Sequence, residues 1–177
     1  MFLRTWPSGY RAVVLTDLHN NVAITTDATT DGGRLNVWRN SIPARELPLG
    51  REIEVDGVPF RFPVAGCGRP DNVRCEGQLV GLPDGRYDWL YLLAAAERRV
   101  EDEVAFHFTD GTVDFEPLRV SDLWQGSPAF GETQMVATSA MHYPNHVQRG
   151  VAATLWCQRV PITRRAQVHA VRLPHNI

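Results

Sequence analysis

The chain has 177 residues, and 44% of them are hydrophobic, which suffices for the core of one domain. Its formal charge is −2, from 18 basic and 20 acidic residues, so it lacks the positive excess with which nucleic-acid-binding proteins neutralise phosphates. No apolar run reaches the ~18 residues of a membrane-spanning helix. We therefore expect one domain over residues 1–177, with neither a nucleic-acid nor a membrane partner.

The amino-terminal residues show no charged segment followed by the apolar stretch of a secretory signal, so we predict a cytoplasmic protein. All 18 basic residues are arginine, a bias that we attribute to a GC-rich, actinobacterial genome. The spacing of Cys67, Cys75 and Cys157 matches no common zinc pattern. We interpret them as reduced thiols, with a Cys67–Cys75 disulfide as the alternative, and we predict no metal and no cofactor.

Short β-rich runs separated by glycine and proline predict strands throughout the chain. In chain order, these runs are 10–15, 22–26, 52–55, 58–62, 78–82, 87–93, 103–109, 112–116, 118–121, 135–141, 153–160 and 167–173. Asp-Gly pairs at 56–57, 84–85 and 110–111 lie between such runs. Asp-Gly tolerates the positive φ angles of a two-residue type I′ turn, so each pair predicts a β-hairpin.

Two of the runs carry further information about the sheets. In the run 103–109, Val104, Phe106 and Phe108 alternate with more polar residues, as expected for a strand with one buried face. The segment 87–99 is apolar on both alternate faces, which fits either a helix or a strand covered on both sides. We favour the strand, in the middle of a sheet. Many short strands with regular turns indicate an all-β fold, an antiparallel two-sheet β-sandwich.

Several motifs resemble those of galactose-binding-like β-sandwich modules, which are attached to bacterial glycoside hydrolases. The similarity covers about residues 12–125 and is carried by Leu15-Thr-Asp-Leu-His-Asn-Asn21, Ser41-Ile-Pro-Ala-Arg-Glu-Leu-Pro48, Asp71-Asn-Val-Arg-Cys-Glu-Gly-Gln78, Leu82-Pro-Asp-Gly-Arg-Tyr87, Leu90-Tyr-Leu-Leu-Ala-Ala-Ala96, Phe108-Thr-Asp-Gly111 and Val120-Ser-Asp-Leu-Trp124. The resemblance implies a jelly-roll sandwich, in which these glycines form turns and these Asp and Asn residues cap loops. Sugar binding is the function that it suggests by analogy.

Three histidines are candidates for ligand contact or proton transfer near neutral pH. His142 and His146 are four residues apart, but Pro144 between them predicts a loop rather than one face of a helix. His107 lies in the middle of a predicted strand and points either to solvent or into a concave cleft. The alternative for all three is a surface or hydrogen-bonded histidine without a functional role. The run 27–33 could supply oxygen ligands to calcium, but its spacing favours a polar turn.

Tryptophans with polar neighbours are the second group of candidates, because indole rings stack on the apolar faces of sugars. Trp38 and Trp156 lie beside Arg39 and Arg159, and Trp124 ends a predicted strand. Trp89 lies in the densest apolar run, so we assign it to the core. Ligand pockets combine aromatic walls with a few convergent polar groups. The predicted site therefore comprises Trp38, His107, Trp124, His142, Tyr143, His146, Trp156 and Arg159.

The leading functional hypothesis is that this site binds a small glycan or glycoside. One alternative is an enzyme, an isomerase or cyclase of actinobacterial secondary metabolism, in which the histidines move protons in the same cleft. A second alternative is a module that forms a homo-oligomer through an edge strand. An open groove with exposed indoles favours glycan binding, and a closed apolar pocket with a titratable floor favours an enzyme.

Overall fold

The computed structural model describes residues 1–5, 9–124 and 126–176. Short strands form most of the ordered structure. In chain order they are β1 (Phe2–Thr5), β2 (Tyr10–Ala12), β3 (Ile24–Thr25), β4 (Ile42–Pro43), β5 (Glu52–Val55), β6 (Val58–Arg61), β7 (Leu79–Gly85), β8 (Tyr87–Ala94), β9 (Val100–Phe108), β10 (Val113–Val120), β11 (Thr133–Ala137), β12 (Ala140–Tyr143), β13 (His146–Arg149), β14 (Thr154–Pro161) and β15 (Val168–Arg172). One-turn 3₁₀ helices cover Thr16–Leu18, Thr30–Gly32 and Ala44–Glu46.

Two antiparallel sheets form the sandwich, as the sequence predicted. One has five strands in the order β11-β14-β8-β1-β2, and the other has four in the order β10-β9-β15-β7. The segment 87–99 is a strand in its first part, and β8 occupies the centre of the five-stranded sheet. One face of β8 packs between the two sheets through Leu90, and the other packs against the β5–β6 hairpin through Tyr91, which explains why both alternate faces of this segment are apolar.

The main core lies between the two sheets. Val104, Phe106 and Phe108 of β9 are at most 1% exposed, so the predicted alternation of this strand is confirmed. Across the interface, Leu90 and Trp156 of the five-stranded sheet are completely buried in the same cluster. Burying each of these large side chains stabilises the fold by about 1.5–3 kcal/mol. The sandwich is therefore held together by interdigitating apolar faces.

Three small sheets lie outside the sandwich. Strands β5–β6 and β12–β13 are hairpins, whereas β3 and β4 pair in parallel. The predicted strand 22–26 is reduced to the two residues of β3, and the predicted strand 135–141 is divided between β11 and β12. A second apolar cluster, which includes Ile24, Ile42, Leu123 and Met141, joins these elements to the five-stranded sheet. None of the helices in the described residues is long and apolar enough to span a membrane.

The three Asp-Gly pairs have different outcomes. The pair at 56–57 forms a two-residue hairpin turn between Val55 and Val58, with positive φ at both positions, as predicted. The pair at 110–111 also lies in a hairpin, but only Gly111 has a positive φ, and the Phe108 amide donates to the Thr112 carbonyl. That loop therefore has three residues, with glycine at the left-handed position, rather than a type I′ turn.

The prediction of a hairpin at residues 84–85 is wrong. β7 runs through both residues to Gly85, and β8, which begins at Tyr87, belongs to the opposite sheet. The chain thus crosses between the sheets here. A Cβ on Gly85 would lie 2.8 Å from the Tyr87 ring, which is 3% exposed and whose hydroxyl donates to the Pro83 carbonyl. Glycine is required at this position because the buried ring approaches its backbone, and not because of a turn conformation.

Asp71 connects two loops through a buried carboxylate that is 2% exposed. Its oxygens accept hydrogen bonds from the Ala23 amide (2.9 Å) and the Ile24 amide (3.2 Å). Burial raises the pKa of Asp71 to about 6, although the two amide donors act in the opposite direction. The carboxylate orients the segment that leads into β3.

The Gly85 contact predicts that Gly85→Ala loses about 1–3 kcal/mol of the free energy of unfolding, because the buried Tyr87 ring must shift. Gly81→Ala in the same strand is the matched control, since a Cβ there meets no atom within 4 Å. We expect this control to be neutral or slightly stabilising. Urea unfolding followed by tryptophan fluorescence measures both, and equal stability of the two variants would contradict the close approach at Gly85.

The raised pKa of Asp71 predicts a pH-dependent stability difference from Asp71→Asn. The folded protein retains this proton up to about pH 6, whereas the unfolded chain loses it near the ordinary aspartate pKa of 3.8. Its stabilising contribution is thus complete below pH 3.8 and is lost as the pH rises through about 6. Between about pH 4.5 and 7 we expect the wild type to lose about 2 kcal/mol relative to the variant. Parallel stability profiles in urea would contradict the shift.

Candidate binding cleft

An open cleft of about 490 Å³ lies where four loops and hairpins meet at the side of the sandwich. It is lined by Trp38, Asn40, Glu97, Arg98, Asp122, Trp124 and Tyr143. Three of these residues belong to the site predicted from the sequence, namely Trp38, Trp124 and Tyr143. The two indoles are 67% and 37% exposed, so both present apolar ring surface to solvent. The cleft therefore combines aromatic walls with charged and amide groups.

Trp38 projects from a tight turn that two buried asparagines organise. The Asn36 Oδ1 atom accepts hydrogen bonds from the amides of Trp38 and Asn40, each at 3.1 Å. Its Nδ2 group donates to Asn40 Oδ1 at 2.9 Å, and Arg39 adopts a positive φ of 59° at the corner. The Asn40 Nδ2 group donates to the backbone carbonyl of His142, which fastens the turn to β12. Trp38 is thus exposed but rigidly supported.

Trp124 and Asp122 are positioned by the core. The indole N–H of the buried Trp156 donates to the Asp122 carbonyl at 3.2 Å. The next residue, Leu123, is 1% exposed, and its amide donates to the Ala96 carbonyl at 2.7 Å. The Asp122 carboxylate then accepts from the Trp124 amide at 2.7 Å. These contacts bring the segment 122–124 beside the segment 96–98, so that Asp122 and Glu97 line the same cleft.

A buried carboxylate closes the loop that follows Trp124. Glu132 is 4% exposed and accepts hydrogen bonds from the Ser121 amide (2.6 Å), the Ser121 hydroxyl (2.9 Å) and the Phe130 amide (3.0 Å). The Ser121 hydroxyl in turn accepts from the Ala129 amide at 2.7 Å. Charge-assisted hydrogen bonds of this kind are about twice as strong as neutral ones. Glu132 thereby holds both ends of the loop together.

Tyr143 reaches the cleft from the β12–β13 hairpin. Residues 144–145 form its two-residue turn, in which Asn145 has a φ of 67°. Proline followed by a residue with positive φ is typical of a type II turn. The Tyr143 and His146 rings stack with their centroids 5.3 Å apart. The predicted loop is thus a hairpin, and His146 is exposed beside one wall of the cleft.

His142 is not on a loop, as the sequence suggested, but in β12 with no exposed surface. Its Nδ1 atom is 2.7 Å from the Thr25 hydroxyl, which is 2.6 Å from the Ser41 hydroxyl. Its Nε2 atom is 3.1 Å from Asp27, which also pairs with Arg45. Burial lowers the pKa of His142, against the opposing effect of the Asp27 carboxylate. The imidazole joins β12 to β3 directly, and the Thr25 hydroxyl extends this contact to Ser41, which precedes β4.

The remaining predicted residues lie away from the cleft. Trp156 is completely buried and acts from within the core. Arg159 places its guanidinium 5.1 Å from the ring centre of Trp89, which is half-buried rather than in the core as predicted. His107 lies on the outer face of the four-stranded sheet, with its ring centre 6.4 Å from that of His169, and burial lowers its pKa. The structure thus brings together only part of the predicted set.

The cleft also contains residues that sequence reasoning did not assign to a site: Asn40, Glu97, Arg98 and Asp122. Glu97 and Arg98 are interpreted from the sequence as part of a solvated loop, and nothing in their local pattern indicates otherwise. Their place in the cleft depends on the bridge between Ala96 and Asp122, which connects positions far apart in the chain. Only the sequence Asp122-Leu-Trp124 offered a signal, a polar and an aromatic residue at a strand end.

A second open cleft, of about 480 Å³, is lined by Arg45, Ser139, Ala140 and Arg149. The Arg45 guanidinium already pairs with Asp27, and the Ser139 amide donates to the Glu46 carboxylate at 2.5 Å. This second cleft contains no aromatic wall, and we assign it no ligand.

The three cysteines are free thiols, so the disulfide between Cys67 and Cys75 is not formed.

The fold and the site together define a class of protein, a two-sheet β-sandwich with an open aromatic cleft at its side. The chain belongs to the family described as the AziU2-like beta-sandwich domain, whose model matches residues 10–177. No curated protein matches the chain. The family supports the sandwich predicted from the sequence, while the more specific kinship to galactose-binding-like modules remains an expectation.

The Glu132 contacts predict that Glu132→Gln destabilises the protein by about 1–3 kcal/mol, because in either orientation the new NH2 group would face a backbone N–H donor, of Ser121 or of Phe130, in a buried site. Glu103→Gln on the exposed face of β9 is the matched control and should be nearly neutral. Chemical unfolding monitored by circular dichroism measures both. An unchanged stability of Glu132→Gln would show that Glu132 does not hold the loop of Trp124.

Proposed function

We propose that this protein binds a small glycan or glycoside in the cleft between Trp38 and Trp124. The observation that carries the proposal is the pair of exposed indoles on one open cleft, each supported by a rigid backbone. A single exposed aromatic side chain is common on a protein surface, whereas several aromatic side chains that line one cleft with polar groups beside them are typical of a ligand site. Sugar rings present C–H groups on one face and hydroxyls at the rim, which suits aromatic walls with polar groups beside them.

The dimensions and the rigidity of the cleft support this proposal. A volume of about 490 Å³ is within the roughly 300–1,000 Å³ typical of small-molecule sites. The Asn36–Asn40 turn orders Trp38 and the Glu132 network orders the loop of Trp124 before any ligand arrives. Binding therefore costs little additional conformational entropy in the walls. Such preorganisation matters for a sugar, since its hydroxyls must be desolvated on binding.

Proton-transfer chemistry receives less support from this geometry. His142 has no exposed surface, and both of its ring nitrogens already have hydrogen-bonding partners. His146 is exposed at the rim, where it stacks on Tyr143. The cleft is open rather than a closed apolar pocket with a titratable floor. We therefore advance binding, and not catalysis by His142, as the function of this site.

Self-association through an edge strand is also less favoured. Pro117 lies in β10 and Pro83 in β7, which are the two edge strands of the four-stranded sheet. Proline cannot donate a backbone hydrogen bond, and it is a common means of preventing strand addition at sheet edges. The edge strand β2 of the other sheet has only three residues. These features oppose a continuous sheet across two copies through β7, β10 or β2.

Replacing either indole tests the binding site. A glycan array first identifies the oligosaccharide that binds the wild type most tightly, and calorimetry then measures its affinity. We expect Trp38→Ala and Trp124→Ala each to weaken binding at least about ten-fold, because a truncated aromatic anchor loses both contact area and stacking. The stability of the fold should change little, since both side chains are exposed.

Phe115→Ala is the matched control, because Phe115 is 64% exposed on the four-stranded sheet and lies outside the cleft. Its affinity for the same oligosaccharide should equal that of the wild type. Binding that survives both tryptophan substitutions would place the ligand elsewhere. The absence of any glycan or glycoside ligand for the wild type would overturn the proposed function itself.

A further inference from the structure

We infer that the ligand of this cleft carries a protonated amino group, as an amino sugar does. The inference rests on the proposed function and specifies the chemical class of ligand within it. Its basis is the balance of charge and hydrogen-bonding capacity among the residues that line the cleft, namely two carboxylates, one guanidinium and three aromatic rings.

The Glu97 carboxylate is the most informative group. It is half-buried, and within the described residues it takes part in no hydrogen bond and no ion pair. A carboxylate that is partly removed from water without a partner is unfavourable, and a cation bound nearby relieves that cost. Arg98, by contrast, is exposed, so its guanidinium remains hydrated at the rim. Glu97 is therefore available to a ligand cation.

Asp122 supplies the second negative charge in a fixed position. One of its carboxylate oxygens accepts from the Trp124 amide, and the other has no partner among the residues that the structure describes. The backbone of Asp122 is anchored by the Trp156 indole and by the bridge to Ala96. Its carboxylate consequently stays at the backbone amide of Trp124, whose indole lines the same cleft. A ligand that stacks on this ring enters a cleft that also contains a free carboxylate oxygen.

The aromatic rings favour the same kind of ligand. The face of an indole attracts a cation within about 6 Å of the ring centre, and tryptophan is the most effective residue in this respect. The Asn40 amide is already engaged, because its oxygen accepts from Asn36 and its nitrogen donates to the His142 carbonyl. Apart from the exposed Arg98 guanidinium and the Tyr143 hydroxyl, the unoccupied groups of the cleft are carboxylate oxygens and π faces, which complement an ammonium group better than a ring bearing only hydroxyls.

Three β-1,4-linked trisaccharides with the same backbone test the inference: the glucosamine, the N-acetylglucosamine and the glucose trimers. Calorimetry at about pH 6 and low ionic strength keeps the amines protonated and the ion pairs unscreened. We expect the glucosamine trimer to bind the wild type at least about ten-fold more tightly than either neutral trimer. Glu97→Gln and Asp122→Asn should each reduce that preference several-fold. Glu54→Gln, which removes an exposed carboxylate outside the cleft, should leave it unchanged.

Each other outcome has a definite meaning. Equal affinity for all three trimers would overturn the amino-group inference but would support the proposed function. A preference for the glucosamine trimer that persists in Glu97→Gln and Asp122→Asn would also overturn the inference, because the attraction would then come from the surface as a whole. If none of the trimers, and no other glycan or glycoside, binds the wild type, both the inference and the proposed function are wrong.

Discussion

The buried indole of Trp156 links the stability of this protein to the shape of its surface. Its ring lies in the core between the two sheets with no exposed area, and its N–H group donates to the Asp122 carbonyl. A buried indole N–H needs a partner, because leaving it unsatisfied would cost about 1–3 kcal/mol. The chain after β10 therefore has to pass the indole at hydrogen-bonding distance. The positions of Asp122 and Trp124 in the cleft follow from that requirement.

The cleft is consequently a product of the sandwich rather than of an independent loop. Asn36 and Asn40 order the turn that carries Trp38, and Asn40 is tied in turn to β12 through the His142 carbonyl. The buried His142 side chain joins the same strand to β3 and, through the Thr25 hydroxyl, to Ser41 just before β4. Two exposed indoles are thus held by buried polar networks. Such networks restrict the backbone to one conformation, and this is the condition under which an open cleft can be selective.

Local patterns in the sequence predicted local structure well. The alternation of Val104, Phe106 and Phe108 and the Asp-Gly pair at 56–57 each depend on residues that are adjacent in the chain, and both were confirmed. The pair at 84–85 has the same local signature, but β7 and β8 belong to opposite sheets. The distinction lies in the close approach of Gly85 to the buried Tyr87 ring. No short-range rule contains that information.

The candidate site also combines features that local sequence predicts with features that depend on long-range contacts. Trp38 and Trp156 have similar polar neighbours in the sequence, yet one is 67% exposed and the other is completely buried. Glu97 joins the cleft only through the bridge between Ala96 and Asp122, a long-range contact that no sequence motif predicts.

Two-dimensional ¹H–¹⁵N spectra test the proposed binding cleft most directly, because each indole N–H gives its own signal. On titration with a glycan or glycoside that binds, the signals of Trp38 and Trp124 should shift while that of Trp156 stays in place. Shifts confined to Trp89, or to none of these indoles, would contradict it.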